Sequence, residues 1–253
     1  MKHDTDDNLA EQHRPEAIRE RLRSPVKQNV ISDAVLGGID GCVTTFAVVS
    51  GVIGAGLSPS IALVLGYANL IADGFSMAIS NYESLKADRE FIQSIRVSEQ
   101  EHIDKIPKGE QEEIRQIFEK KGFSGEVLES IVDTISADRR LWIDTMLTEE
   151  HGVQRISRRP GKAAITTFFS FIVVGSIPLI PFMVPGMERS LQFTFSACLA
   201  AIMFFSIGAM KSRFFFKPAF RSGVGTLLTG GGAAALAFLV GYILREMFGI
   251  GAI

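Results

Sequence analysis

Residues 34–82 read AVLGGIDGCVTTFAVVSGVIGAGLSPSIALVLGYANLIADGFSMAISNY, and the only charged side chains among them are Asp40 and Asp73. A helix crosses a bilayer with about 20 mostly apolar residues, so this run is long enough for two crossings. Its middle carries Gly54-Ala55-Gly56-Leu57-Ser58-Pro59-Ser60. Glycines end a helix, and a serine followed by a proline starts the next. The stretch therefore predicts a helix over 34–56, a tight turn, and a second helix over 60–83.

The pattern recurs downstream. Between 163 and 210 only Glu188 and Arg189 are charged, and between 222 and 244 nothing is. The first of these runs breaks at 184–190, which predicts helices over 162–184 and 190–210. Pro178 and Pro181 predict a kink or an early end in the former. A fifth helix is predicted over 222–245, where the small residues of GTLLTGGGAAALA permit close helix–helix approach in lipid. The expected fold class is an all-α membrane protein with five transmembrane helices and a small cytoplasmic helical insert between helices 2 and 3. The expected divisions are a polar arm (1–30), helices 1 and 2 (31–83), an acidic helical insert (84–161) and helices 3 to 5 (162–253).

Bulk composition says less than this distribution. Hydrophobic residues make up 47% and charged residues 21% of the 253. Soluble domains reach such averages, so it is the long uncharged runs that exclude a soluble enzyme, a fibre or a disordered chain. A net charge of −2 gives nucleic acid no support as a partner. Cys42 and Cys198 both lie in apolar runs, which leaves no disulfide framework or CxxC metal site. The arm lacks the apolar core of a cleavable signal peptide, so the first hydrophobic helix is expected to act as the insertion signal. The host membrane is open at this level: a bacterial inner membrane, a vacuole or another organelle all fit.

Basic residues set the expected orientation. Arg14, Arg19, Arg21, Arg23 and Lys27 precede helix 1; Arg155, Arg158, Arg159 and Lys162 precede helix 3; Lys211, Arg213, Lys217 and Arg221 follow helix 4. The opposite turns carry only Arg189. By the positive-inside rule the N-terminus and the insert are cytoplasmic. The insert reads as the continuation of helix 2 to about residue 103, a turn at Pro107 and Gly109, and three short helices over 110–121, from 124 and over 138–151, with modest apolar stripes.

Asp40 is the sharpest chemical signal, since a carboxylate amid lipid costs roughly 2.5–3.5 kcal/mol and is retained mainly for function. Thr44 lies one turn on. Asp73 is the second intramembrane acid, and Asn69, Asp73 and Met77 share one face of helix 2 by their spacing of four. Oxygen donors with a thioether suit Fe²⁺ or Mn²⁺, whereas Met77 alone reads equally well as packing. Two such acids repel each other unless protonated or metal-bound, which is the physical basis of metal/proton exchange. In the insert, Asp88, Glu90 and Glu99 are acids of the extended helix 2, Glu99 and His102 share a face, and Met146 stands one turn before Glu150-His151. Those last two groups meet if the helices pack antiparallel. Most of these charges read singly as solvated surface.

The string Ser32-Asp33-Ala34-Val35-Leu36-Gly37-Gly38-Ile39-Asp40-Gly41, followed by TTFAVVSG, resembles the first helix of the vacuolar iron transporter (VIT/CCC1-like) family, and residues 68–82 resemble the second. The resemblance runs from about residue 30 to the C-terminus. It implies a homodimer in membrane lipid that moves Fe²⁺, and often Mn²⁺, out of the cytosol against protons. It implies no cofactor and no enzymatic activity, the metal being cargo. It implies that Asp40 and Met77 line the metal path. The family has a Glu in helix 2 where this chain has Asn69, with Asp73 a turn away as the substitute carboxylate. In the insert, the family's metal-holding glutamates fall on Asp88, Glu99 and Glu150, while Phe91 and His102 replace two others. Fewer carboxylates and an imidazole shift preference toward Fe²⁺, Co²⁺ or Zn²⁺. Two rivals remain. One is a membrane-anchored metal sensor or scaffold. The other is a di-iron carboxylate enzyme, which needs paired Glu-x-x-His motifs where only Glu99–His102 occurs.

Overall fold

A computed structural model describes residues 6–23, 31–153, 158–215 and 218–249, and among them every regular element is helical. The arm forms two short helices, α1 (Asp6–Gln12) and α2 (Pro15–Arg23). Of the basic residues expected to mark one face, Lys27, Arg155 and Lys217 lie outside the described residues.

Helix α3 (Ile31–Gly54) and helix α4 (Pro59–Lys105) flank the predicted turn. Gly56 takes a left-handed φ of 70°, which a glycine adopts without strain, and Pro59 occupies the first position of α4. α4 has 47 residues, about 70 Å at 1.5 Å per residue. An apolar slab is about 30 Å thick, so more than half of α4 extends beyond it, as the unbroken sequence from 83 onward predicts.

Helix α8 (Pro160–Gly175) is followed by a 3-10 segment, Ile177–Met183, bent from it by 40°. The predicted kink is therefore a true break, because Pro178 and Pro181 lack the N–H groups an α-helix needs. Helices α9 (Arg189–Phe215) and α10 (Ala219–Phe248) complete the set. α10 begins at the residue after Pro218, about one turn earlier than predicted. α3, α4, α9 and α10 are each long and apolar enough to cross a membrane, and the bent pair makes a fifth span if counted as one.

α3 stands at the centre and packs on α8, α10, α4 and α9. Gly37 and Gly41 let α8 come close: a methyl group at either would run into the backbone carbonyl of Thr167 or Phe171. α4 presses Leu70, Gly74 and Ala78 inward, with Gly74 against Phe171 and Ile172 of α8.

The insert consists of the end of α4 with α5 (Pro107–Lys120), α6 (Gly125–Ala137) and α7 (Arg139–Glu149). Its core joins Ile103, Ile114, Val132, Ile135, Trp142, Ile143, Met146 and Leu147. Asp138 caps α7 by accepting from the N–H groups of Arg140 (2.9 Å) and Leu141 (3.2 Å). Arg139 then grips Asp104 with both guanidinium nitrogens, at 2.5 and 2.7 Å, and fixes α7 to the end of α4.

Candidate metal sites in the membrane helices and in the insert

Asp40, Asn69, Asp73 and Met77 are all half-buried. Each lies about 100° around its helix from the face pressed on α8: Asp40 precedes Gly41, and Asn69, Asp73 and Met77 precede Leu70, Gly74 and Ala78. These side chains are therefore neither sealed in the core nor fully exposed. Asn69 Nδ2 donates to Asp73 Oδ2 at 2.7 Å, which fixes the Asp73 carboxylate and leaves the Asn69 carbonyl oxygen free to act as a ligand. α3 and α4 pack on each other, so the two carboxylates stand on neighbouring helices. Thr44 donates its hydroxyl to the Asp40 backbone carbonyl at 2.9 Å, so its proton is engaged by the helix itself. The chain thus offers two carboxylates, an amide oxygen and a thioether.

The insert brings more together than its spacing predicts. Glu99 and Glu110 side chains are 3% and 5% exposed, and one oxygen of each (Oε2) is buried without a hydrogen-bond partner. Orphaned buried carboxylate oxygens cost several kcal/mol unless something charged fills the gap. Glu99 Oε1 meets His151 Nε2 at 2.9 Å, and His102 Nδ1 lies 3.4 Å from Glu110 Oε1. Glu150 approaches the same His151 nitrogen at 3.7 Å. Two ligand triplets result, Glu99–Glu150–His151 and Glu99–His102–Glu110, each with its donor atoms within 4.8 Å of one another. Glu99 belongs to both.

Burial, then the neighbouring Glu113 and Glu99, push the Glu110 carboxyl up to about 7. Burial and Glu113 likewise raise that of Glu150. A carboxyl raised in the folded state stabilises the fold while protonated, and that contribution is lost as pH climbs from about 4.5 to about 7. A metal ion reverses the loss by replacing the proton. The thermal stabilisation given by Mn²⁺ to the purified chain is thus expected to be larger at pH 8 than at pH 5. Glu110→Gln should flatten that difference in calorimetry, and an unchanged difference would remove Glu110 from the site.

The other predicted ligands fall elsewhere. Asp88 and Glu90 are exposed on α4, about 13–16 Å along the axis from Glu99, and Glu90 faces Lys86 at 3.9 Å. Phe91 is exposed on the same stretch. Met146 is fully buried in the apolar core of the insert. Glu110, not singled out as a ligand from the sequence, joins Glu99, His102, Glu150 and His151.

A third constellation joins the insert to the membrane helices. Asp33, 3% exposed at the start of α3, receives the Arg158 guanidinium and Asn81 Nδ2 (3.0 Å). Asn81 also reaches Thr167 Oγ1 at 2.8 Å, and Arg89 donates to the Arg158 carbonyl at 2.6 Å. One buried carboxylate so ties together α3, the midpoint of α4, the irregular segment entering α8, and, through Asn81, α8 itself.

Residues 31–242 match the VIT family. A vacuolar iron transporter of Toxoplasma gondii is 30% identical over 228 residues, covering 87% of this chain and 76% of its own. Vacuolar iron transporter 2 of Oryza sativa subsp. japonica is 31% identical over 211 residues, 83% of this chain and 85% of its own. The vacuolar iron transporter of Plasmodium falciparum is 28% identical over 223 residues. These relatives are named as transporters, not enzymes. Since the match starts at the first residue of α3, takes in the whole insert and ends within α10, this chain belongs to the VIT family.

Proposed function

We propose that the protein carries a divalent transition metal, Fe²⁺ or Mn²⁺, out of the cytosol in exchange for protons, as a homodimer of five-span protomers with the arm and the insert on the cytosolic side. The observation that carries this reading is the pair Asp40 and Asp73, two half-buried carboxylates on packed apolar helices, α3 and α4, with Asn69 holding the Asp73 carboxylate. Among groups in that stretch, only a proton or a cation relieves their repulsion. The names of the relatives support iron as cargo.

The sequence of events follows from the donor sets. The buried Glu99 and Glu110, with the exposed Glu150, His102 and His151, collect the metal and hold it near the membrane. The ion then sheds water and binds Asp40, Asp73, Asn69 and Met77 between helices, the partner copy supplying further donors. Protonation of the carboxylates from the far side lowers their affinity and releases it. His102 and His151 in the collecting site favour borderline metals, so Co²⁺ and Zn²⁺ should compete there.

The test is uptake of Fe²⁺, Mn²⁺, Co²⁺ and Zn²⁺ into proteoliposomes with and without an imposed pH gradient. Uptake of Fe²⁺ or Mn²⁺ driven by an acidic interior is expected. Metal bound by the protein but never carried inside would favour the sensor or scaffold.

A further inference from the structure

The polar series of α3 and α4 meet at one end. Asn69, Asp73 and Met77 recur every four residues along α4, and the next position of that series is Asn81, also half-buried. On α3, Asp33 stands seven residues before Asp40, about 20° short of two full turns. Both carboxylates therefore project from one side of the helix, about 10 Å apart along its axis. Asn81 Nδ2 donates to Asp33 at 3.0 Å, which joins the two series. The junction lies at the end of α3 proposed above to face the cytosol.

Among the described residues, Arg158 is the cation paired with Asp33. The Asp33 side chain is 3% exposed and that of Arg158 37%, so the guanidinium comes to the carboxylate from the more open side. Its fit is incomplete, because Arg158 Nε is buried with no hydrogen-bond partner. An ion pair that leaves a buried donor unsatisfied gives up part of its gain, and another cation can then compete for the carboxylate. No regular helix carries Arg158; Arg89 holds its segment by donating to the Arg158 carbonyl at 2.6 Å. With the guanidinium withdrawn, three donors remain at the junction. They are the Asp33 carboxylate, the Asn81 amide oxygen after a flip of that amide, and the fully buried Thr167 hydroxyl, now 2.8 Å from Asn81 Nδ2. All are oxygens, a set that takes Mn²⁺ or Mg²⁺ and gives softer ions no advantage.

We propose that Asp33, Asn81 and Thr167 form a seat for a divalent cation, and that Arg158 fills it as a tethered cation which a metal ion must replace. The place of this seat at the mouth of the transport path rests on the function proposed above, whereas the exchange of guanidinium for metal does not. Glu99 of the insert lies 18 residues beyond Asn81, about 27 Å along α4, too far for an ion to pass directly. Met77 lies one turn from Asn81 on the other side, about 6 Å away. An oxygen-only seat does not exclude Mg²⁺, so the guanidinium keeps that ion out and leaves selection to the thioether of Met77.

The experiment measures Mn²⁺ bound to the purified full chain by electron paramagnetic resonance. The background is Glu99→Gln/Asp40→Asn, which removes the carboxylate common to both insert triplets and the mid-helix acid of α3. In it, Arg158→Gln is expected to bind one Mn²⁺ per chain at least about tenfold more tightly than the same chain with Arg158, because the withdrawn guanidinium is a minor state of about 10% or less. Excess Mg²⁺ should displace that Mn²⁺, and adding Asp33→Asn should abolish the gain. Arg158→Lys keeps a cation at Asp33, and with it the fold, but lacks the planar fork, so its affinity should fall between the two. It carries the test if the Gln variant does not fold. Mn²⁺ binding unchanged by the Arg158 substitutions would overturn the proposal. So would a gain that persists with Asp33→Asn, or a bound Mn²⁺ that excess Mg²⁺ leaves in place. A gain at Asp33 in a protein whose native form carries no metal into vesicles would uphold the seat and remove the transport reading alone.

Discussion

Asp40→Asn should reduce pH-driven metal uptake by at least the roughly 10–100-fold that the loss of even an outer partner costs a metal site, while leaving the protein as stable as before or more so. The two halves of that result have one cause. Asp40 lies nine residues into α3, about 13 Å along a helix long and apolar enough to cross a slab about 30 Å thick. A carboxylate there opposes folding by roughly 2.5–3.5 kcal/mol. Asparagine has the same shape and no charge, so it lifts that cost and takes away the ligand and proton carrier together. A residue kept for packing would give the opposite pattern, with flux unchanged and stability lower. Uptake and thermal midpoint measured on one preparation separate the two.

Arg158→Ala is the substitution with the largest expected effect on stability. It strips the guanidinium from a carboxylate that is 3% exposed, and removing one partner of a buried pair costs about 3–5 kcal/mol. Asn81 remains as a donor to Asp33 and offsets part of this, so a loss near the lower figure is expected in chemical denaturation. Arg158→Met with Asp33→Asn removes both charges and should recover most of it. If the single variant were as stable as the native chain, the joint between the insert and the membrane helices would not depend on this pair.

What could be read from the sequence was local. Gly56, Pro59, Pro178 and Pro181 carry their own backbone chemistry, so the α3–α4 turn and the break after α8 fall where those residues stand. Uncharged runs gave the apolar helices because lipid imposes one rule on every residue it touches. The spacing of Asn69, Asp73 and Met77 put them on one face because helical geometry alone decides that. The joint at Asp33 was invisible, since its partners lie 48 and 125 residues away and periodicity fixes an angle about one axis without naming the neighbour. Glu110 read as one acid among many for the same reason. Its burial depends on how α5 folds back at Pro107 and seats Ile114 in the same core as Ile103. Glu99 with His102, and Glu150 with His151, were readable as pairs. Their convergence at His151 Nε2 required the bundle to close. Met146 shows the converse: a thioether near acids in sequence that the packing of α7 turns into the core.

In the proposed exchange, protons and metal compete for one pair of intramembrane carboxylates. Proteoliposomes loaded with a pH-sensitive dye and an acidic lumen measure it directly when Mn²⁺ is added outside. The lumen is expected to become less acidic as Mn²⁺ enters, in fixed proportion to the metal taken up, with neither signal surviving in Asp40→Asn/Asp73→Asn. Mn²⁺ accumulation with no accompanying proton movement, or undiminished exchange in the double variant, would contradict it.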